Sequence, residues 1–271
     1  MKTIIKLLLS GLFILSVLNS CQNINAGDSG DESAIPPNEH LTSAILYQQT
    51  AAEYRALCYQ AFNVARLQLD RSLRVMGLMK QQAVVVDIDE TVLDNSPFEA
   101  KCILEGTSYP TYWNEWVETA NTRAVPGALE FLKYAESKGI EVYYITNRRE
   151  KYRQPTLKNL QDLSFPFSDN DHLFMRTDES SKKARRETVS EKHEIILLIG
   201  DNLNDFSEVF EKKSITDRFE LVDKFKEDFG NRFIVLPNAV YGEWEGAIYD
   251  YDFSKTADEK FELRHNHLIS F

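Results

Sequence analysis

The chain has 271 residues, 43% of them apolar, and a formal net charge of −11. This length and apolar content suit one α/β domain with additions and a sizeable core. The acidic balance excludes a broad nucleic-acid-binding face and disfavours anionic lipid surfaces, since both need a basic footprint.

The first segment reads as a leader. Lys2 and Lys6 precede an apolar run over 7–17, of signal-peptide length and short for a membrane span. The run closes on Leu18-Asn19-Ser20-Cys21, which resembles the lipobox of bacterial lipoproteins. The resemblance implies cleavage after residue 20, a lipid on Cys21, and attachment to the bacterial cell envelope, with the outer membrane as the expected site. Loss of residues 1–20 removes two lysines and no acid, taking the net charge to −13. Residues 21–38, rich in Asn, Gly, Ser, Asp and Pro, read as a flexible tether.

Residues 40–79 carry apolar side chains at helical spacing with no proline, so one long helix or two shorter ones are expected there. Val84-Val85-Val86 then reads as a buried parallel strand that ends in Asp87-Ile88-Asp89-Glu90-Thr91. Acidic residues at such a carboxyl end lie where open α/β sheets place their active sites. Asn95-Ser96-Pro97 breaks the chain, and an aromatic stretch with Trp113 and Trp116 follows. Further elements are a helix over 126–138, a strand over 140–145 ending in Thr146-Asn147, a helix over 155–163 and a strand over 172–175. A basic helix over 182–192 leads into Ile195-Ile196-Leu197-Leu198-Ile199, a second apolar strand ending in carboxylates, Asp201 and Asp205. Residues 206–213 read as a helix, 232–237 as the last strand and 238–246 as a loop. His265 and His267 fall in what reads as a frayed polar tail. Alternating strands and helices predict a doubly wound, Rossmann-like parallel sheet, and cap elements are expected from about 39–79 and 98–122 of a 39–271 domain. Cys58 and Cys102 are expected as buried free thiols, with a disulfide in an oxidising periplasm as the alternative.

Four carboxylates brought to one sheet edge repel one another unless a cation neutralises them. Asp87-x-Asp89-x-Thr91, Thr146, a lysine in 180–186 and Gly200-Asp201-x-x-x-Asp205 resemble, in order and position, the four motifs of the haloacid dehalogenase superfamily. The runs 87–97, 123–128 and 237–246 further resemble the class C acid phosphatases, a group that includes outer-membrane lipoproteins that dephosphorylate nucleotides. The similarity covers roughly residues 40–250. It implies the superfamily sheet with a small α-helical cap, an acidic optimum and one Mg²⁺ per site, which suits a hard oxygen donor set.

In the pattern this resemblance implies, Asp87 is metal ligand and nucleophile and forms an aspartyl-phosphate. Asp89 gives its main-chain carbonyl to the metal, while its side chain protonates the leaving alkoxide and later takes a proton from water. Asp201 is the second carboxylate ligand, and Asp205 binds directly or through water. Thr146 and Asn147 contact the phosphoryl oxygens together with a lysine, Lys182 by spacing with Lys183 as the alternative. Carbon–halogen cleavage is disfavoured because a halide leaving group needs no acid such as Asp89. Trp113 and Tyr241 occupy positions resembling the aromatic clamp of nucleotide-cleaving relatives, so a nucleoside monophosphate is the expected substrate. The alternatives are a sugar phosphate or other small monoester, transfer to an acceptor alcohol, or a non-catalytic binding lipoprotein. Oligomeric state is left open, a homodimer included.

Overall fold

The valine run forms the centre of a parallel sheet in the computed structural model, which describes residues 38–74 and 80–271. The expected leader, Cys21, most of the expected tether and residues 75–79 lie outside the described residues. In chain order the strands are β1 (Gln81–Val86), β2 (Leu93–Asp94), β3 (Arg123–Ala124), β4 (Glu141–Arg149), β5 (Leu173–Arg176), β6 (His193–Gly200) and β7 (Phe233–Val235). The helices are α1 (Thr42–Thr50), α2 (Ala52–Ser72), α3 (Ser96–Leu104), α4 (Trp113–Glu118), α5 (Ala128–Ser137), α6 (Arg153–Asp162), α7 (Lys183–Lys192), α8 (Ile215–Lys224), α9 (Glu243–Ile248) and α10 (Ala257–Asn266). The main sheet has the order β5-β4-β1-β6-β7 with every pairing parallel, while β2 and β3 form a small antiparallel pair.

Both faces of β1 are covered, which is why its sequence is continuously apolar rather than alternating. Val84 and Val86 point into a core with Phe62, Leu69, Leu132 and Tyr144. Ala83 and Val85 point the other way, towards Ile195, Leu198, Phe206 and Phe210. Each buried valine contributes about 1.5–3 kcal/mol of apolar transfer. The chain leaves β1 for β4 and β5 on one side and reaches β6 and β7 on the other. The crevice at the carboxyl ends of β1 and β6 is therefore the switch point at which such sheets bind ligands.

Four expectations are corrected. Helix α2, within the segment expected to supply cap, packs on α5 and the sheet through Tyr54, Cys58, Phe62, Ala65 and Leu69; it is a layer of the core. Residues 206–213 are not a helix: tight turns at Leu203–Asp205 and Glu208–Phe210 replace it, because Ser207 is extended and caps the second turn through Val209 N. The next helix, α8, starts only after Ser214 accepts from Asp217 N. The 238–246 segment turns helical at Glu243 as α9, and the expected tail forms α10, held at its start by a Thr256–Glu259 capping box. His265 and His267 bond carbonyls of that same helix, at Phe261 and Leu263. Cys58 and Cys102 are buried free thiols. Among the described residues no helix is long and apolar enough to cross a membrane.

Candidate active site

All five main strands deliver residues to one crevice of about 950 Å³. The turn after β1 is tight: Val92 and Leu93 both donate to the Ile88 carbonyl, and Glu90 adopts a left-handed backbone at φ 59°. A non-glycine residue there is uncommon and needs support from its surroundings. Glu90 has it, since its carboxylate accepts from Asn95 N at 2.7 Å, from Asn95 Nδ2 at 3.2 Å and from the Tyr241 hydroxyl. Burial, with Asp89 beside it, pushes the Glu90 carboxyl up to about 8.

This turn sets Asp87 and Asp89 side by side with different partners. Asp87 is buried against the Lys182 ammonium, which also lies 2.7 Å from Asp205 Oδ1. Ligand oxygens of Asp87, Asp201 and Asp205 all fall within 4.8 Å of one another. Burial and the carboxylates of Asp205 and Asp201, outweighing Lys182, raise the Asp87 carboxyl well above its usual range. Burial and Asp205 push Asp201 up to about 8. Lys182 is held above its ordinary value because the pull of Asp205 and Asp87 exceeds the opposing effect of burial.

The β6 end explains the Gly-Asp pattern. A Cβ on Gly200 would collide with the Asp205 carboxylate, so glycine is required for that carboxylate to fold back under the strand. Asp205 Oδ2 accepts from Asn202 N at 3.0 Å, which leaves both of its oxygens engaged by the chain. Asp201 accepts from Thr91 Oγ1 at 3.1 Å and from Asn238 Nδ2 at 2.8 Å, tying β6 to the β1 turn and the β7 loop.

Strand β4 runs four residues further than its apolar pattern predicts, carrying Asn147 and Arg148 into the crevice, whereas Thr146 on the same strand is not among the lining residues. Thr146 is fully buried, and its hydroxyl accepts from Arg148 N at 3.1 Å, which keeps its own proton available to donate. Asn147 is exposed, lines the crevice and accepts from Arg185 at 2.8 Å. Asp89 receives Arg148 side-on, with Nε at 2.9 and 3.2 Å from its two oxygens and a terminal nitrogen at 2.8 Å.

Trp113 lines the crevice with edge contacts to Phe98 at 4.9 Å and Tyr109 at 5.8 Å between centroids, and the Arg148 guanidinium lies 5.5 Å from its ring. Tyr241 lines the same crevice, anchored through its hydroxyl to Glu90. The crevice thus gathers Asp87, Asp89, Asp201, Asp205, Lys182, Asn147, Trp113 and Tyr241. Lys183 stays outside, paired with Glu208 at 3.0 Å. Sequence reasoning gave no role to Glu90, Asn95, Arg148 or Asn238. Each lies within or beside a quoted motif, and that adjacency was the signal available. It also missed Lys260 and Arg264 of α10, which line the crevice from a segment read as tail.

Comparison with known proteins decides what this arrangement belongs to. Residues 16–244 match the family model of the HAD superfamily, subfamily IIIB (acid phosphatase). The chain belongs to that family. Two solved structures of the class C acid phosphatase from Bacillus anthracis, one with tungstate bound, are each 44% identical to it. Each alignment covers 88% of this chain and 100% of the other, with a TM-score of 0.85. The protein is accordingly a phosphoric monoester hydrolase, an acid phosphatase with the α/β architecture of its superfamily.

Proposed function

We propose that this acid phosphatase is a lipid-anchored, Mg²⁺-dependent enzyme of the bacterial envelope that hydrolyses nucleoside monophosphates through an aspartyl-phosphate on Asp87. The observation that carries the mechanism is the placement of Asp87 beside Lys182 and within 4.8 Å of Asp201 and Asp205. Three carboxylates, two buried and Asp201 half-buried, against one ammonium leave negative charge uncompensated, and their oxygen donors fit a divalent ion of the Mg²⁺ type. Asp87, Asp201 and the Asp89 main-chain carbonyl would hold it. Asp205, whose oxygens are taken by Lys182 and Asn202 N, fits a role through water. When bound, the ion neutralises the dianionic phosphoryl group so that a carboxylate can approach it.

The chain's own groups do the rest. Asp87 attacks phosphorus while Lys182, Thr146 and Asn147 hold the phosphoryl oxygens. The bond to the leaving oxygen breaks, and that oxygen takes a proton from Asp89. Asp89, now a carboxylate, takes a proton from the water that attacks the aspartyl-phosphate, releasing phosphate and restoring Asp87. Trp113 and Tyr241 supply two aromatic surfaces suited to a base, a mode of contact that tolerates different bases. Cys21 would carry the lipid and residues 21–38 the reach from the membrane.

The test is phosphate release by residues 38–271 from AMP, glucose 6-phosphate and p-nitrophenyl phosphate, with Mg²⁺ and with EDTA. Metal-dependent release strongest from AMP supports the reading. Release without nucleotide preference removes the substrate assignment, and release unaffected by EDTA removes the metal.

A further inference from the structure

Two side chains outside the four motifs, Asn95 and Arg148, converge on Asp89, and they treat its two oxygens unequally. Oδ1 accepts from Asn95 Nδ2 at 2.7 Å, from a terminal nitrogen of Arg148 at 2.8 Å and from Arg148 Nε at 2.9 Å. Among the described residues Oδ2 has only the long 3.2 Å contact with Arg148 Nε. A carboxylate oxygen has about two lone-pair sites, so Oδ1 is saturated and Oδ2 keeps capacity for another partner.

The holders are themselves held. Arg148 is 3% exposed, donates to Thr156 Oγ1 at 3.3 Å and to Asn95 Oδ1 at 3.4 Å, and lies over Trp113. Asn95 Oδ1 also accepts from Trp116 Nε1 at 2.8 Å, and the Asn95 amide donates to Glu90. Each end of the network is therefore anchored in a different element: β4, α6, the β1 turn and α4.

We propose that Arg148 and Asn95 are positioning residues that pin Asp89 by Oδ1, so that Oδ2 is the oxygen that passes the proton to the leaving group. The inference rests on the assignment of Asp89 as acid made above. In the step concerned, an Asp87 oxygen bonds to phosphorus, the bond from phosphorus to the leaving oxygen breaks, and that oxygen receives the proton from Oδ2. A planar guanidinium fork sets the carboxylate plane, which a lysine ammonium cannot do. The same fork touches Trp113, so the aromatic wall of the crevice and the proton-passing oxygen share one support.

The test compares kcat/KM for phenyl phosphate, whose leaving group needs a proton, with 2,4-dinitrophenyl phosphate, whose leaving group does not. The two are close in shape, and kcat/KM excludes the later hydrolysis of the phosphoenzyme, which is common to both. Arg148→Lys is expected to lose about 100-fold on phenyl phosphate, the lower range for a general acid, and less than about 3-fold on the dinitrophenyl ester. Asn95→Ala is expected to show the same selectivity at smaller size, and retained dinitrophenyl activity reports a folded site. Equal losses on both esters, or none on either, overturn the inference. Asp89→Asn separates the two readings. If it is selective for phenyl phosphate while Arg148→Lys is not, the positioning role alone fails; if Asp89→Asn is unselective, the acid assignment fails and the inference goes with it.

Discussion

Lys182 Nζ lies 2.7 Å from Asp205 Oδ1 while also contacting Asp87, so a single ammonium joins the carboxylate at the end of β1 to the one beyond β6. Its neighbour Lys183 begins α7 and points to Glu208, with half of its side chain exposed. Two adjacent lysines thus have unlike environments. Lys182→Ala should reduce kcat/KM at least about 1,000-fold, the scale of losing a preorganised charge on a reacting oxyanion. Lys183→Ala should change it less than about 2-fold, as exposed ion pairs contribute little. Steady-state kinetics on both variants checks this, and the reverse ranking would reassign the lysine.

That choice marks where the sequence stops being legible. Spacing favours Lys182 within the segment 180–186 but leaves its neighbour Lys183 open, because at a helix start the geometry of the turn before α7 decides which side chain turns inward. The strand-end carboxylates, by contrast, stand out because apolar runs stop abruptly at charge. The sheet is legible for the same reason, since its buried strands are continuous in Val, Ile and Leu. What the pattern hid is support through polar contacts: Arg148 and Asn238 act through partners distant in sequence, 59 and 37 residues away. Helix α10 was hidden because its apolar content is low and it is held by a capping box and by polar contacts such as Arg264 to the Tyr249 hydroxyl just beyond α9, not by an amphipathic stripe.

Asn238 binds no reacting group, yet it fixes Asp201 through Oδ2 and orders the β7 loop by accepting from Val240 N at 2.8 Å. Partners of this kind set ligand orientation, and their loss costs about 10–100-fold in metal affinity. Asn238→Ala should therefore raise the Mg²⁺ concentration for half-maximal activity by about that factor while leaving activity at saturating Mg²⁺ nearer to normal. An unchanged Mg²⁺ titration would contradict the assignment of Asp201 as a ligand.

Removing the Trp113 ring should separate base recognition from chemistry. Trp113→Ala is expected to raise KM for AMP by about 5–150-fold, the equivalent of one stacking contact of about 1–3 kcal/mol, with a much smaller rise for a small alkyl phosphate. Equal rises for both would leave Trp113 as packing for Phe98 and Tyr109.

The buried carboxyls give the metal-free protein a pH signature. Asp201 and Glu90 sit near 8 and Glu99 near 7 when folded, each raised chiefly by burial from ordinary values near 4. Between pH 6.5 and 8.5 the unfolded chain has already lost these protons and the folded chain is still losing them, so unfolding becomes easier as pH rises. Stability from the raised groups is full below about pH 4 and fades through 7–8. His40, lowered to about 4 by burial and by Arg264 and Lys260, contributes in the opposite sense only at lower pH. In EDTA, Tm should fall from pH 6.5 to 8.5. Mg²⁺ at about 100 times its Kd should restore about 2.7 kcal/mol at the upper pH, and a Tm that rises with pH in EDTA would contradict this charge balance.

The most direct test of the central claim is acid quenching of the enzyme within milliseconds of mixing with substrate and Mg²⁺, followed by mass spectrometry of the peptide that contains Asp87. A phosphoryl adduct on Asp87 is predicted, appearing before the steady state and missing from Asp87→Asn, whose turnover should fall by about four orders of magnitude or more. An adduct on another residue, or near-normal turnover in Asp87→Asn, would contradict the account.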